Sequence, residues 1–165
     1  MRERILQISK ELGLTHVGSC LGMAQVLEEI YQIKNPEDIV VLDAGHSGLA
    51  LYVLLEYNNK QNALELYHKH GVHPNRDKRA GIEVSSGSLG LAASVSLGIA
   101  LANRNKNVYV ATSDGAFQEG IWAECLRFAR KYNITSWKPY INCNGYGAYH
   151  EIFYEDIKRE FDIFP

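Results

Sequence analysis

Residues 108–142, VYVATSDGAFQEGIWAECLRFARKYNITSWKPYIN, decide the fold. Val108-Tyr109-Val110-Ala111 is a short, continuous apolar run, the signature of a strand buried on both faces. Ile121, Trp122, Cys125, Leu126 and Ala129 then recur at helical spacing, and Lys138 to Asn142 reads as a second strand. Buried strands joined by a helical crossover run parallel, so their carboxyl ends share one edge. The expectation is an α/β fold, a mainly parallel sheet flanked by helices, with its ligand site at that edge.

Outward from this unit the same logic continues. Ile39-Val40-Val41-Leu42 repeats the buried-strand pattern after Asn35-Pro36 and runs into Gly45-His46-Ser47-Gly48. Ile5, Ile8, Leu12 and Leu14, interrupted at Gly13, predict an opening amphipathic helix, and Met23, Val26, Leu27, Ile30 and Tyr31 predict a second. Leu49 to Tyr57, Ala63 to His70 and the small-residue stretch Leu89 to Ala102 read as helices, and Gly71 to Arg79 as a loop. Tyr154 to Phe164 predicts a last amphipathic helix ending at Pro165, an early finish for an α/β domain. With no repeat, linker or low-complexity tract, residues 1–165 are expected to form one domain.

Composition narrows the function. The 17 Lys and Arg against 19 Asp and Glu leave a charge of −2 with no basic stripe, which argues against nucleic acid. No apolar run is long enough to span a membrane, and the amino terminus enters a charged amphipathic pattern, so the expectation is a cytoplasmic protein without a membrane partner. Cys20, Cys125 and Cys143 have neither even number nor Cys-x-x-Cys spacing, and are read as reduced thiols.

Two constellations could carry chemistry. Ser113-Asp114-Gly115 and Asn142-Cys143-Asn144-Gly145 follow neighbouring strands, so a carboxylate and an amide oxygen meet at one edge. Such hard donors form an incomplete ligand set of the type that holds Mg²⁺ together with phosphates. Read singly, Asp114 caps the next helix and Asn144 makes an Asx turn with Gly145. His16, His46 and His73 each stand in a loop beside Gly or Pro, where imidazole can donate to a phosphate or sugar hydroxyl, or shuttle a proton. His68 and His70 read as surface residues of a helix, His150 is open to either reading, and Met23, Trp122 and Trp137 read as core or interface residues. Gly87-Ser88-Leu89-Gly90 would let a ring or phosphate approach the backbone.

In order, Thr15-His16-Val17-Gly18-Ser19, Ala44-Gly45-His46-Ser47-Gly48, His73-Pro74, Gly81-Ile82-Glu83-Val84 running into Gly87-Ser88-Leu89-Gly90, Asp114-Gly115 with Glu119-Gly120, and Asn144-Gly145 resemble the amino-terminal, diphosphate-binding domain of the transketolases. The resemblance spans about Ile5 to Gly145. It implies thiamine diphosphate and Mg²⁺ as cofactors and transfer of a two-carbon ketol unit between sugar phosphates. By motif position Asp114, Asn144 and the carbonyl of Tyr146 would ligate Mg²⁺. His46, Gly115 and Asn144 would lie against the diphosphate, and Gly87, Ser88 and Leu89 would line the cofactor rings. His16 and His73 would face substrate, and Glu119 would connect to the activating glutamate across a subunit boundary.

Ser113 stands where the family has the first Gly of Gly-Asp-Gly, and Gly90-Leu91-Ala92 where it often has Gly-Gln-Gly, which predicts reduced clearance for the cofactor. The family's pyrimidine-binding domain has no counterpart in these residues. The resemblance therefore implies one subunit of a split enzyme, a homo- or hetero-oligomer whose partner is a carboxyl-terminal subunit carrying that domain. The rival readings are a non-catalytic structural or regulatory relative and another thiamine diphosphate enzyme, such as a deoxyxylulose phosphate synthase.

Overall fold

The computed structural model describes residues 1–59, 61–147 and 149–163. Helices α1 (Arg2–Leu12) and α2 (Val17–Ile33) precede strand β1 (Ile39–Leu42); α3 (Gly48–Asn59), α4 (Ala63–His70) and α5 (Leu91–Ala102) lead to β2 (Val108–Ser113). A short α6 (Asp114–Phe117) and α7 (Gly120–Lys131) connect to β3 (Trp137–Asn142), and α8 (Tyr154–Ile163) follows. The predicted positions Phe164 and Pro165 lie outside the described residues.

The strands lie in the order β1-β2-β3 and all pair in parallel. Leu42 pairs with Ala111, and Ser113 with Asn142, so the three carboxyl ends open on one edge as expected. Alternate residues feed opposite faces. Val40, Leu42, Tyr109 and Ala111 join the core built with α1 to α4, whereas Val41, Val108 and Val110 join the core under α5, α7 and α8. That two-sided burial is why the strands read as unbroken apolar runs. Pro139 has no N–H for a second ladder, which suits the half-exposed β3 at the sheet's edge.

Local signals end the helices where expected. Gly13 takes φ 61° and closes α1, with its N–H on the Ser9 carbonyl. Met23, Trp122 and Trp137 are buried, and the two indoles stack at 5.4 Å. His70 corrects the surface expectation: its side chain is 4% exposed, packed beside Tyr52 with Nε2 3.5 Å from Asp77. The chain folds residues 77–82 back over the end of α4, which no helical pattern reveals. Among the described residues no helix is long and apolar enough to cross a membrane.

Candidate functional site

A cavity of about 460 Å³ opens at the carboxyl edge of the sheet and is lined from the loops that carry His16, His46, His73, Gly87, Asp114 and Asn144. His16, His46 and His73 enter it from three different segments. Gly87, Leu89, Gly115, Asn144 and Tyr146 complete much of its wall around Asp114.

Close backbone packing assembles it. A Cβ on Gly45 would lie 2.6 Å from the Gly87 nitrogen and 2.8 Å from the Ser86 carbonyl carbon, and one on Gly48 would collide with the Val72 carbonyl oxygen. Only glycine lets the His46 turn seat against both the His73 and Gly87 segments. His16 sits in the left-handed region at φ 59°, the residue before α2, with its ring 5.4 Å from that of His46. A non-glycine residue held there marks a locally strained position of the kind concentrated at functional sites.

Electrostatics follow from burial. His46 is half-buried, and desolvation, followed by the neighbouring imidazoles of His16 and His73, pushes its pKa below the ordinary value against the opposing pull of Asp114. A neutral ring can then donate from one nitrogen and accept at the other. The Asp114 side chain is buried, with Oδ1 accepting from the Gly115 N–H at 3.0 Å. Its Oδ2 accepts from the N–H groups of Asn144 at 2.9 Å and Gly145 at 2.8 Å. Asn144 Oδ1 accepts from the Tyr146 N–H, the Asx turn of the simpler reading. Asp114 does not cap the helix that follows: α7 begins after Glu119 with no side-chain cap, Ser113 Oγ accepts from the Ala116 N–H at the head of the short α6, and the aspartate faces the β3 turn. Ser113 has ordinary extended backbone, so this position does not need the conformational freedom of glycine.

Two expected residues stand apart from the cavity wall. Ser88 is exposed beside it while Gly87 and Leu89 line it. Glu119 precedes α7 and packs toward Gly90, where an added Cβ would lie 3.0 Å from the glutamate's own. His150 is exposed and pairs with Gln118 at 3.2 Å.

The sequence reading missed two groups. Ser47 is buried against the cavity, and its Oγ has no hydrogen-bond partner. Asp43 is fully buried, with donors from β2, α5 and α7 around its carboxylate. The available signal was an acidic residue closing an otherwise apolar strand.

Residues 4–162 match the family described as "Transketolase, thiamine diphosphate binding domain". The chain belongs to that family. A transketolase 1 of Aliivibrio fischeri is 25% identical over 90% of the chain and 28% of its own length. A 6-deoxy-6-sulfo-D-fructose transketolase subunit of a Clostridium species is 31% identical over 78% of the chain and 54% of its own length. A 1-deoxy-D-xylulose-5-phosphate synthase of Fusobacterium nucleatum is 28% identical over 78% of the chain and 21% of its own length. The chain thus spans from about a fifth to about half the length of these relatives. Thiamine diphosphate is the ligand that the family's description names.

Proposed function

We propose that residues 1–165 form one domain, the diphosphate-binding subunit of a split transketolase-like enzyme that transfers a two-carbon ketol unit between sugar phosphates. The observation that carries this reading is the meeting of the Asp114–Asn144 turn with His16, His46 and His73 at one cavity. Its support includes a relative that is itself named a transketolase subunit.

The residues fit the cofactor. Asp114, the Asn144 amide oxygen and the Tyr146 carbonyl supply one charged and two neutral hard oxygens, a set suited to Mg²⁺. Among the described residues no group of three His, Cys, Asp or Glu could hold a metal, so the cation would take its remaining oxygens from the diphosphate and water. Bound thiamine diphosphate supplies the nucleophilic carbon and the electron sink for two-carbon transfer. Gly115 and His46 would bind the diphosphate, His46 as a neutral donor, with Gly87, Ser88 and Leu89 beside the rings. His16 and His73 would donate to substrate oxygens and hold or return a proton there.

The partner we assign is a polypeptide carrying the pyrimidine-binding domain, reached through Glu119. Leu91, Val95 and Leu101 of α5 and Phe128 of α7 are 40–50% exposed, an uncovered apolar face that such a partner would bury. The assembly would be cytoplasmic. The test mixes the chain with its candidate partner, Mg²⁺ and thiamine diphosphate, and follows ketose phosphate donors with aldose acceptors. Thiamine-dependent transfer is expected from the pair and not from the chain alone. Condensation of pyruvate with a triose phosphate instead would identify a deoxyxylulose phosphate synthase, and a pair that neither binds cofactor nor transfers would identify a structural subunit.

A further inference from the structure

Asp43 is a carboxylate in an unusual place. It is 0% exposed. Its Oδ2 accepts from the Thr112 hydroxyl at 2.9 Å and the Trp122 indole N–H at 3.0 Å, and its Oδ1 accepts from the Ala92 backbone N–H at 3.1 Å. All these partners are donors, so the ionised carboxylate is satisfied as it stands. Ala92 belongs to the first turn of α5, where aligned peptide dipoles favour a negative charge. Burial holds the pKa above the ordinary carboxylate value, and these hydrogen bonds oppose the rise without cancelling it.

The arrangement is informative because of what lies next to each donor in the chain. Asp43 is three residues before His46, and its own carbonyl accepts from the Gly45 N–H at 2.8 Å. Thr112 is two residues before Asp114, Ala92 three after Leu89, and Trp122 three after Glu119. One buried group therefore joins the roots of the His46 turn, the Gly87–Leu89 segment, the Asp114 turn and the start of α7. Among the described residues no other carboxylate accepts hydrogen bonds from β2, α5 and α7 together.

We propose that Asp43 is a positioning residue: it touches no ligand, but its carboxylate holds the His46, Leu89 and Asp114 segments at the spacing a diphosphate with its cation requires. This rests on the functional reading above. Replacing it with Asn is a sharp probe, since the amide keeps the shape but supplies one acceptor where two are needed. One orientation sets the amide NH₂ against the Trp122 N–H and the other against the Ala92 N–H, so a buried donor is orphaned either way.

The experiment compares the parent, Asp43→Asn, Thr112→Val and Ser96→Ala, each with the partner subunit. Ser96 is the control: it links Ala93 and the Trp137 indole by equally buried hydrogen bonds, away from the cavity. Calorimetry with thiamine diphosphate and Mg²⁺ should give an affinity at least about tenfold weaker for Asp43→Asn and about threefold weaker for Thr112→Val. Ser96→Ala should lower the melting temperature comparably and leave affinity within about twofold. Amide exchange of the ligand-free chains should quicken across 45–47 and 87–92 in Asp43→Asn and not in Ser96→Ala. Parent-like affinity in both Asp43→Asn and Thr112→Val, or an equal loss in Ser96→Ala, overturns the proposal. If Asp43→Asn does not fold, Thr112→Val decides by the same measures. A parent that binds no thiamine diphosphate overturns the functional reading instead, and unchanged exchange in the variants then overturns this one.

Discussion

Asp114 and Asn144 lie thirty residues apart in the chain, yet the Asn144 N–H donates to Asp114 Oδ2 at 2.9 Å. The bond ties the turn after β2 to the turn after β3, and places a buried carboxylate under the loop that carries the Tyr146 carbonyl. Structural and proposed ligand roles thus fall on one side chain.

Asp114→Ala removes both. Three backbone N–H groups lose their acceptor, and stability should fall by about 3 kcal/mol. Thiamine diphosphate affinity should become insensitive to Mg²⁺. Asp114→Asn keeps part of the hydrogen bonding, so it should recover most of the melting temperature while the Mg²⁺ dependence stays lost. Denaturant melts and calorimetry with and without Mg²⁺ separate the two effects; a Mg²⁺ response in Asp114→Ala counts against the metal assignment.

His73 is exposed, and its ring lies 3.3 Å from where a Cβ on Gly87 would stand. In the proposed role it meets substrate rather than cofactor. His73→Ala should lower kcat/KM of the reconstituted enzyme about 100-fold and leave cofactor affinity within about twofold. An equal loss in both quantities would move His73 into the cofactor site.

The depressed pKa of His46 has a sign that can be worked out. Between its folded value and the unfolded value of about 6.5, the unfolded chain binds a proton that the folded chain refuses. Its stabilising contribution is complete above that unfolded value and is lost as pH falls toward the folded one. Burial acts in the same direction on His70, with Lys69 adding to it. Thermal melts from pH 7.5 to 5 should therefore show the parent losing stability on the acid side, and His46→Gln and His70→Gln each losing less. Parallel curves for parent and His46→Gln would refute the assignment.

Two glycines offer opposite outcomes. Gly45→Ala forces a methyl onto the backbone of Ser86 and Gly87, which cannot rotate away, so cofactor binding should fall at least about tenfold. Gly98 lies in α5 with nothing within 4 Å of an added Cβ. Gly98→Ala should stabilise the isolated chain by about 0.5–1 kcal/mol through helix propensity. It should leave cofactor contacts unchanged. Melting temperatures and calorimetry of the two variants provide the check.

Local pattern determined the layer order of this protein. The β1 run Ile39–Leu42 and the apolar Val108–Ala111 run are short, apolar and separated by helical spacing, and burial on both faces permits little else. The edge position of the Asp114 and Asn144 turns followed from parallel pairing. Thr112 and Trp122, by contrast, reach Asp43 from 69 and 79 residues away, and Ala92 from 49. Which donors converge on a carboxylate depends on how helices pack over the sheet, and no spacing in the sequence records that. The same reason hides the burial of His70, whose cover comes from Tyr52 and from residues 77–82 beyond its own helix. Tertiary packing alone decided these, because each joins groups that the chain presents separately.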